Sequence, residues 1–187
     1  MEWDGTKVNY EESFIDVSMS DWYYQDVRFV AKHYLMKGTG HACFYPQGNM
    51  NRAMIVKVLY RMAGSPKVSS ESTFTDVLPD QWYSSAIAWA EENGIVEGVG
   101  NGLFGINDSV KREDFVTLIN RYKGYPEGEA DLSVYRDGAE IDEYAVNAFQ
   151  WAVEKGIIRG NNKNALLPGE SLTRAQAAAM IHRLSEN

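Results

Sequence analysis

Apolar residues along this chain fall into short helical periods separated by glycine-rich stretches. Between residues 80 and 93, Tyr83, Ala86, Ile87 and Ala90 share one helical face, and Asn93-Gly94 supplies a stop. Residues 98 to 105 are rich in glycine and read as a loop. From Lys111 to Arg121, Phe115, Leu118 and Ile119 again line one face. Further on, Thr173-Arg174-Ala175-Gln176 has the form of a capping box, in which threonine and glutamine side chains satisfy free N–H groups at a helix start. It opens an alanine-rich helix running to Leu184. Linkers are expected at Ala63-Gly64-Ser65-Pro66 and Lys123-Gly124-Tyr125-Pro126-Glu127-Gly128.

The same features recur three times in order. Gly38, Phe44 and Arg52 stand 6 and 8 residues apart, and Gly98, Phe104 and Arg112 repeat those intervals, as do Gly160, Leu166 and Arg174. Trp22, Trp82 and Tyr144 precede the glycines by 16 residues; Arg61, Arg121 and Arg183 follow the arginines by 9. Phe14-Ile15-Asp16-Val17 matches Phe74-Thr75-Asp76-Val77, and Tyr135-Arg136-Asp137 is a weaker third copy. The period is 60 and then 62 residues, which predicts units at 14–64, 74–124 and 135–187 behind a lead-in of residues 1–13. Helix–loop–helix units of this size cannot each bury a core, but three stacked together can share one.

These residues resemble the S-layer homology repeat of bacterial surface proteins. The pattern is carried by Phe74, Asp76, Val77, Trp82, Ala86, Ile87, Gly94, Ile95, Gly98, Gly102 and Phe104. Its closing motif stands at Leu172-Thr173-Arg174-Ala175-Gln176, with looser versions at Met50-Asn51-Arg52-Ala53-Met54 and Val110-Lys111-Arg112-Glu113-Asp114. The resemblance implies an all-α fold, with three helix–loop–helix repeats set in pseudo-threefold fashion around a central bundle. It implies non-covalent attachment to a secondary cell-wall polysaccharide, often pyruvylated and linked to peptidoglycan, through grooves between repeats. It also implies an extracellular address in the wall or S-layer. The copies depart from the pattern at Tyr34 in place of the first glycine and at Met54 in place of an acid. Ile106 replaces a proline, and Tyr144 and Leu166 replace the Trp and Phe.

Charge narrows the choice of partner. The formal net charge of −8 repels nucleic acid and anionic membranes, so an anionic ligand must be held by local clusters of cations. No apolar run reaches the roughly 18 residues a membrane span needs. The N-terminal Met-Glu-Trp-Asp-Gly lacks the regions of a signal peptide, so the chain is either cytosolic or a fragment of something longer. Cys43, the single cysteine, permits no intrachain disulfide or cysteine-based metal site and reads as a small buried apolar residue. His33, His41 and His182 show no ligand spacing, so neither metal nor cofactor is expected.

The arginines are informative without any family. Behind the cap at Thr173, Arg174 takes the first helical position, where a cation opposes the helix dipole at a cost of about 0.3–1 kcal/mol. Arg52 and Arg112 share that register. An arginine beside free helix N–H groups completes a carboxylate or phosphate pocket, with its planar fork giving bidentate contact. The alternative is a structural ion pair with Asp16, Asp76 and Asp137, which themselves suit turn or cap roles. Trp22 and Trp82 offer either faces for sugar stacking or core rings; Trp89 and Trp151 suit a bundle core. Gly38 and Gly98 belong to the expected ligand loops, and the glycines from 98 to 102 are expected to supply positive φ. Catalysis needs one unique constellation, whereas triplicate features suit multivalent binding, so no enzyme is expected. The alternative to wall anchoring is a protein-interaction or self-assembly scaffold, and self-association accompanies either.

Overall fold

The computed structural model describes residues 14–187; the lead-in expected at residues 1–13 lies outside the described residues. The helices are α1 (Tyr24–Lys32), α2 (Arg52–Met62), α3 (Ser84–Glu92), α4 (Arg112–Tyr122), α5 (Val146–Glu154) and α6 (Arg174–Ser185). Short 3-10 turns at Leu132–Val134, Gly138–Glu140 and Glu143–Ala145 lead into α5. Among the described residues there are isolated bridges but no strand, so the fold is all-α.

Local chemistry sets the helix ends. At the start of α6, Gln176 N–H donates to Thr173 Oγ1 at 3.3 Å and Thr173 N–H donates to Gln176 Oε1 at 3.1 Å, which completes the expected capping box. Asn51 caps α2 through Met54 N–H at 2.9 Å. The middle copy's first helix begins at Ser84 rather than at Asp80, because Asp80 has φ +58°, outside the helical region. Downstream, Tyr34, Gly94 and Gly156 occupy the same left-handed position with φ of 56°, 66° and 65°. The next residue's N–H then reaches back into the helix, Leu35 to Val30, Ile95 to Ala90 and Ile157 to Ala152, as a Schellman turn requires.

Helix pairing crosses the repeat boundaries. α3 lies against α2 and α5 against α4, while α1 packs on α6 and joins the first repeat to the last. The loops before the second helices interlock in the same order. Met50 N–H donates to Leu172 C=O at 2.8 Å, Leu172 N–H to Val110 C=O at 2.8 Å, and Val110 N–H to Met50 C=O at 3.1 Å. Each second helix also finds a partner in the next repeat for its first free N–H: Arg52 donates to Asp108 C=O, Arg112 to Glu170 C=O and Arg174 to Gly48 C=O. These bonds leave no repeat self-sufficient.

One continuous core results. Val27, Val30, Leu59, Ile87, Phe115, Ile119, Phe149 and Ile181 all belong to it, together with Trp89 and Trp151. Cys43 departs from expectation: it is half-buried and its Sγ lies 3.6 Å from His41 C=O.

Candidate functional site

The loop between each repeat's two helices is gripped from both sides. Asp16 accepts Phe44 N–H at 2.8 Å and Tyr45 N–H at 2.7 Å; Asp76 accepts Phe104 N–H at 2.7 Å and Gly105 N–H at 2.9 Å. Asp137 does the same with Leu166 and Leu167, both at 2.8 Å. On the other side stands the arginine of the preceding repeat. Arg174 Nε donates to Phe44 C=O at 2.7 Å, Arg52 Nε to Phe104 C=O at 2.9 Å, and Arg112 Nε to Leu166 C=O at 2.8 Å. Aspartate and arginine thus hold the N–H and the C=O of one residue. The ion pair weighed from the sequence does not form among the described residues; aspartate and arginine meet only through the backbone of that shared residue.

The remaining contacts explain how the arginines tolerate burial. Nη2 of Arg174 donates to Lys37 C=O at 2.7 Å, and Nη2 of Arg52 to Glu97 C=O at 2.6 Å. The guanidinium carbon lies 4.5 Å from the Phe44 ring centroid for Arg174 and 4.7 Å from that of Phe104 for Arg52. Arg112 meets Leu166, the counterpart of those phenylalanines, and among the described residues its guanidinium lies over no aromatic ring. Only 6% of Arg112 and 7% of Arg174 is exposed, yet among the described residues no carboxylate lies at ion-pair distance from any of the three. Burial lowers the pKa of Arg112 to about 10, with the charges of Glu170 and Asp137 opposing it, so it remains a cation at neutral pH. A buried charge without an adjacent counter-ion is costly, and an external anion relieves that cost.

Trp22 and Trp82 are not core rings. They are 62% and 52% exposed, each edge-on to the following tyrosine, while Trp89, seven residues after Trp82, and Trp151, seven after Tyr144, fill the core. Tyr144, their counterpart in the third copy, is also exposed, and its hydroxyl donates to Asp114 Oδ1 at 2.8 Å. Burial first, then this bond and the neighbouring carboxylates, raise its pKa. Gly38 and Gly98 are required for space rather than for positive φ. A Cβ on Gly38 would lie 2.8 Å from both Cys43 C=O and the Phe14 ring; on Gly98 it would lie 2.6 Å from Leu103 C=O and 2.8 Å from the Phe74 ring. Positive φ in the loop from 98 to 105 belongs to Gly100, Asn101, Gly102 and Gly105.

The S-layer homology domain model matches residues 13–53, 73–116 and 134–178. This chain belongs to the S-layer homology domain family. Among curated relatives, the amylopullulanase of Thermoanaerobacterium thermosulfurigenes is 28% identical over 181 residues, 95% of this chain but 10% of that protein. The surface-layer 125 kDa protein of Lysinibacillus sphaericus is 31% identical over 157 residues, 82% of this chain and 13% of its own length. The cellulosome-anchoring protein of Acetivibrio thermocellus is 27% identical over 158 residues, covering 81% of this chain and 35% of the relative. The chain therefore spans a minor part of each relative.

A second set of arginines in the S-layer homology repeats was visible as a spacing but had no role assigned from sequence. Arg61 Nη1 donates to Leu35 C=O at 2.9 Å and Arg183 Nη1 to Ile157 C=O at 3.3 Å, each closing the turn after its own repeat's first helix. Arg121 instead pairs with Glu97 at 3.4 Å. Among the described residues no group of three or more His, Cys, Asp or Glu is placed to hold a metal ion, and no helix is long and apolar enough to cross a membrane.

Proposed function

We propose that this S-layer homology module anchors the protein that carries it to the cell wall, by binding an anionic, pyruvate-bearing wall polysaccharide at a junction between repeats. In this reading the repeats 14–64, 74–124 and 135–187 form one pseudo-threefold body. A ketal-pyruvate carboxylate sits against Arg52, Arg112 or Arg174, on loops opened by Gly38 or Gly98 and held by Asp16 or Asp76. Trp22 or Trp82 stacks on the adjoining sugar. The observation that carries the reading is the buried Arg112 and Arg174 with the half-buried Arg52, none of which, among the described residues, has a carboxylate at ion-pair distance, together with the exposure of Trp22 and Trp82. The names of the relatives, which include a surface-layer protein and a cellulosome-anchoring protein, favour a surface address for the parent chain. With a net charge of −8 the affinity must come from local contacts, so binding has a shallow salt dependence.

Sedimentation with purified wall sacculi, before and after extraction of their polysaccharide, tests the anchor; calorimetric titration with pyruvylated and depyruvylated fragments tests the ligand. Binding is expected only with polysaccharide present, and removal of pyruvate is expected to abolish most of it. Arg174→Lys, which keeps the charge and loses the fork, is expected to weaken binding by about 1–3 kcal/mol. Retention on polysaccharide-free sacculi, or indifference to pyruvate, would instead support a protein scaffold.

A further inference from the structure

The three junctions share a backbone but not a charge. Position 37 of the first repeat is Lys37, and its counterparts are Glu97 and Arg159; position 57 is Lys57, against Thr117 and Ala179. In the first repeat the segment 35–37 is bracketed by two arginines, Arg61 on Leu35 C=O at 2.9 Å and Arg174 on Lys37 C=O at 2.7 Å. Lys57 lies within the field of Arg61 and Lys37, which add to burial in lowering its pKa. Two arginines therefore grip this segment, Lys37 belongs to it, Lys57 Nζ lies nearby over the Tyr60 ring at 5.1 Å, and Asp16 is the acid that acts on Arg174.

The other junctions carry their own acids. Around Arg52 stand Asp114, Asp108 and Asp76, and the Glu97 carboxylate neutralises Arg121 at 3.4 Å. Arg112 feels the acids Glu170 and Asp137 as well as the cation Arg183, and Arg183 feels Arg159 first and then the acids Asp26 and Glu186. At the start of α4 the side chains are also engaged in internal bonds: Tyr144 hydroxyl to Asp114 at 2.8 Å, and Lys111 Nζ to Glu113 at 2.9 Å. Exposed aromatic surface is likewise richest in the first repeat. Trp22 is 62% exposed and Tyr45 61%, where the counterparts of Tyr45 are Gly105 and Leu167.

Building on the wall-glycan reading, we propose that the anion-binding junction of this chain is the one where the third repeat closes onto the first, with Lys37, Lys57 and Arg61 beside Arg174. Four cations in one place suit an extended acidic glycan that presents more than one negative group, not a single isolated carboxylate.

Equal charge reversals at matched positions separate this from a general field effect. Lys37→Glu and Arg159→Glu each change the net charge by the same amount at homologous, exposed sites. Titration with pyruvylated wall polysaccharide fragments is expected to show at least a tenfold loss for Lys37→Glu and less than a twofold change for Arg159→Glu. Lys57→Gln, which avoids placing an acid at a half-buried site, is expected to lose severalfold, with circular dichroism unchanged in all three. Equal effects at 37 and 159 overturn the assignment while leaving glycan binding intact, and a larger loss at 159 moves the site to the third repeat. If the unaltered module binds no polysaccharide fragment, the wall-anchor reading fails and this assignment fails with it.

Discussion

A single residue in each loop carries the sharpest division of labour. The N–H of Phe104 goes to Asp76 within its own repeat, while its C=O goes to Arg52 of the previous one. Burial alone would raise the pKa of Asp76, but N–H donors from Phe104, Gly105 and Ile106 together outweigh it and leave the carboxyl below its ordinary value. A carboxylate depressed on folding stabilises the fold above its unfolded pKa, and that contribution disappears as pH falls through the folded value. Asp76→Asn is therefore expected to cost about 1–2 kcal/mol at neutral pH, at the lower end for charged hydrogen bonds because the site is partly open to solvent. The gap between the two proteins should narrow as pH drops below about 4, the ordinary range of an aspartate. Urea titrations at neutral and acidic pH measure it. A gap that stays constant across that range would deny Asp76 its role as a charged acceptor.

At the scale of the helices, stop signals matter as much as apolar faces. Gly94 ends α3 in a left-handed conformation at φ +66° with nothing near its missing Cβ, so a side chain there meets strain but no clash. Gly94→Ala is expected to cost about 1 kcal/mol. Gly169→Ala is the control, since that glycine has neither positive φ nor a neighbour within 4 Å. Thermal melts of the pair should separate by several degrees, and coincident melts would remove the conformational account. The first repeat meets the same demand with Tyr34 at φ +56°. That substitution was readable as a missing glycine in the sequence, and the backbone shows that the turn survives it. The helix starts were legible where a cap stands beside the apolar run, as at Thr173. They were misplaced at Asp80, because nothing in a helical period reports a positive φ one turn too early.

Across the whole molecule, stability depends on closure. α1 packs on α6, and their seam includes Phe29 stacked on the His182 ring at 4.0 Å and Asp26 at 2.8 Å from His182 Nδ1. Ile181, one residue away, is 1% exposed in the shared core. Ile181→Ala is expected to lower stability by about 2–5 kcal/mol, through lost transfer energy and the cavity left behind. Because every repeat uses its neighbours' backbone, that loss should appear as one cooperative transition at lower temperature, not as selective melting of the third repeat. A separate early transition, or an unchanged midpoint, would contradict a single shared core.

The sequence by itself determined the repeat number, the all-α class, the caps and turns at Thr173 and Gly94, and the register of the arginines. Those properties depend on interactions within a few residues, or on the same short pattern being written again 60 residues later. What the arginines hold was decided only by tertiary structure. Their acceptors lie 52, 54 and 130 residues away, on loops that no local period connects to them. The same applies to the tryptophans. Trp82 and Trp89 both suit a helical face, and only the neighbouring repeat decides which ring is covered. Gly98 looked like a residue chosen for its dihedral freedom and proved to be one chosen for space beneath the Phe74 ring. Local periodicity specifies helices, but the contacts between repeats arise from the way three copies close on one another.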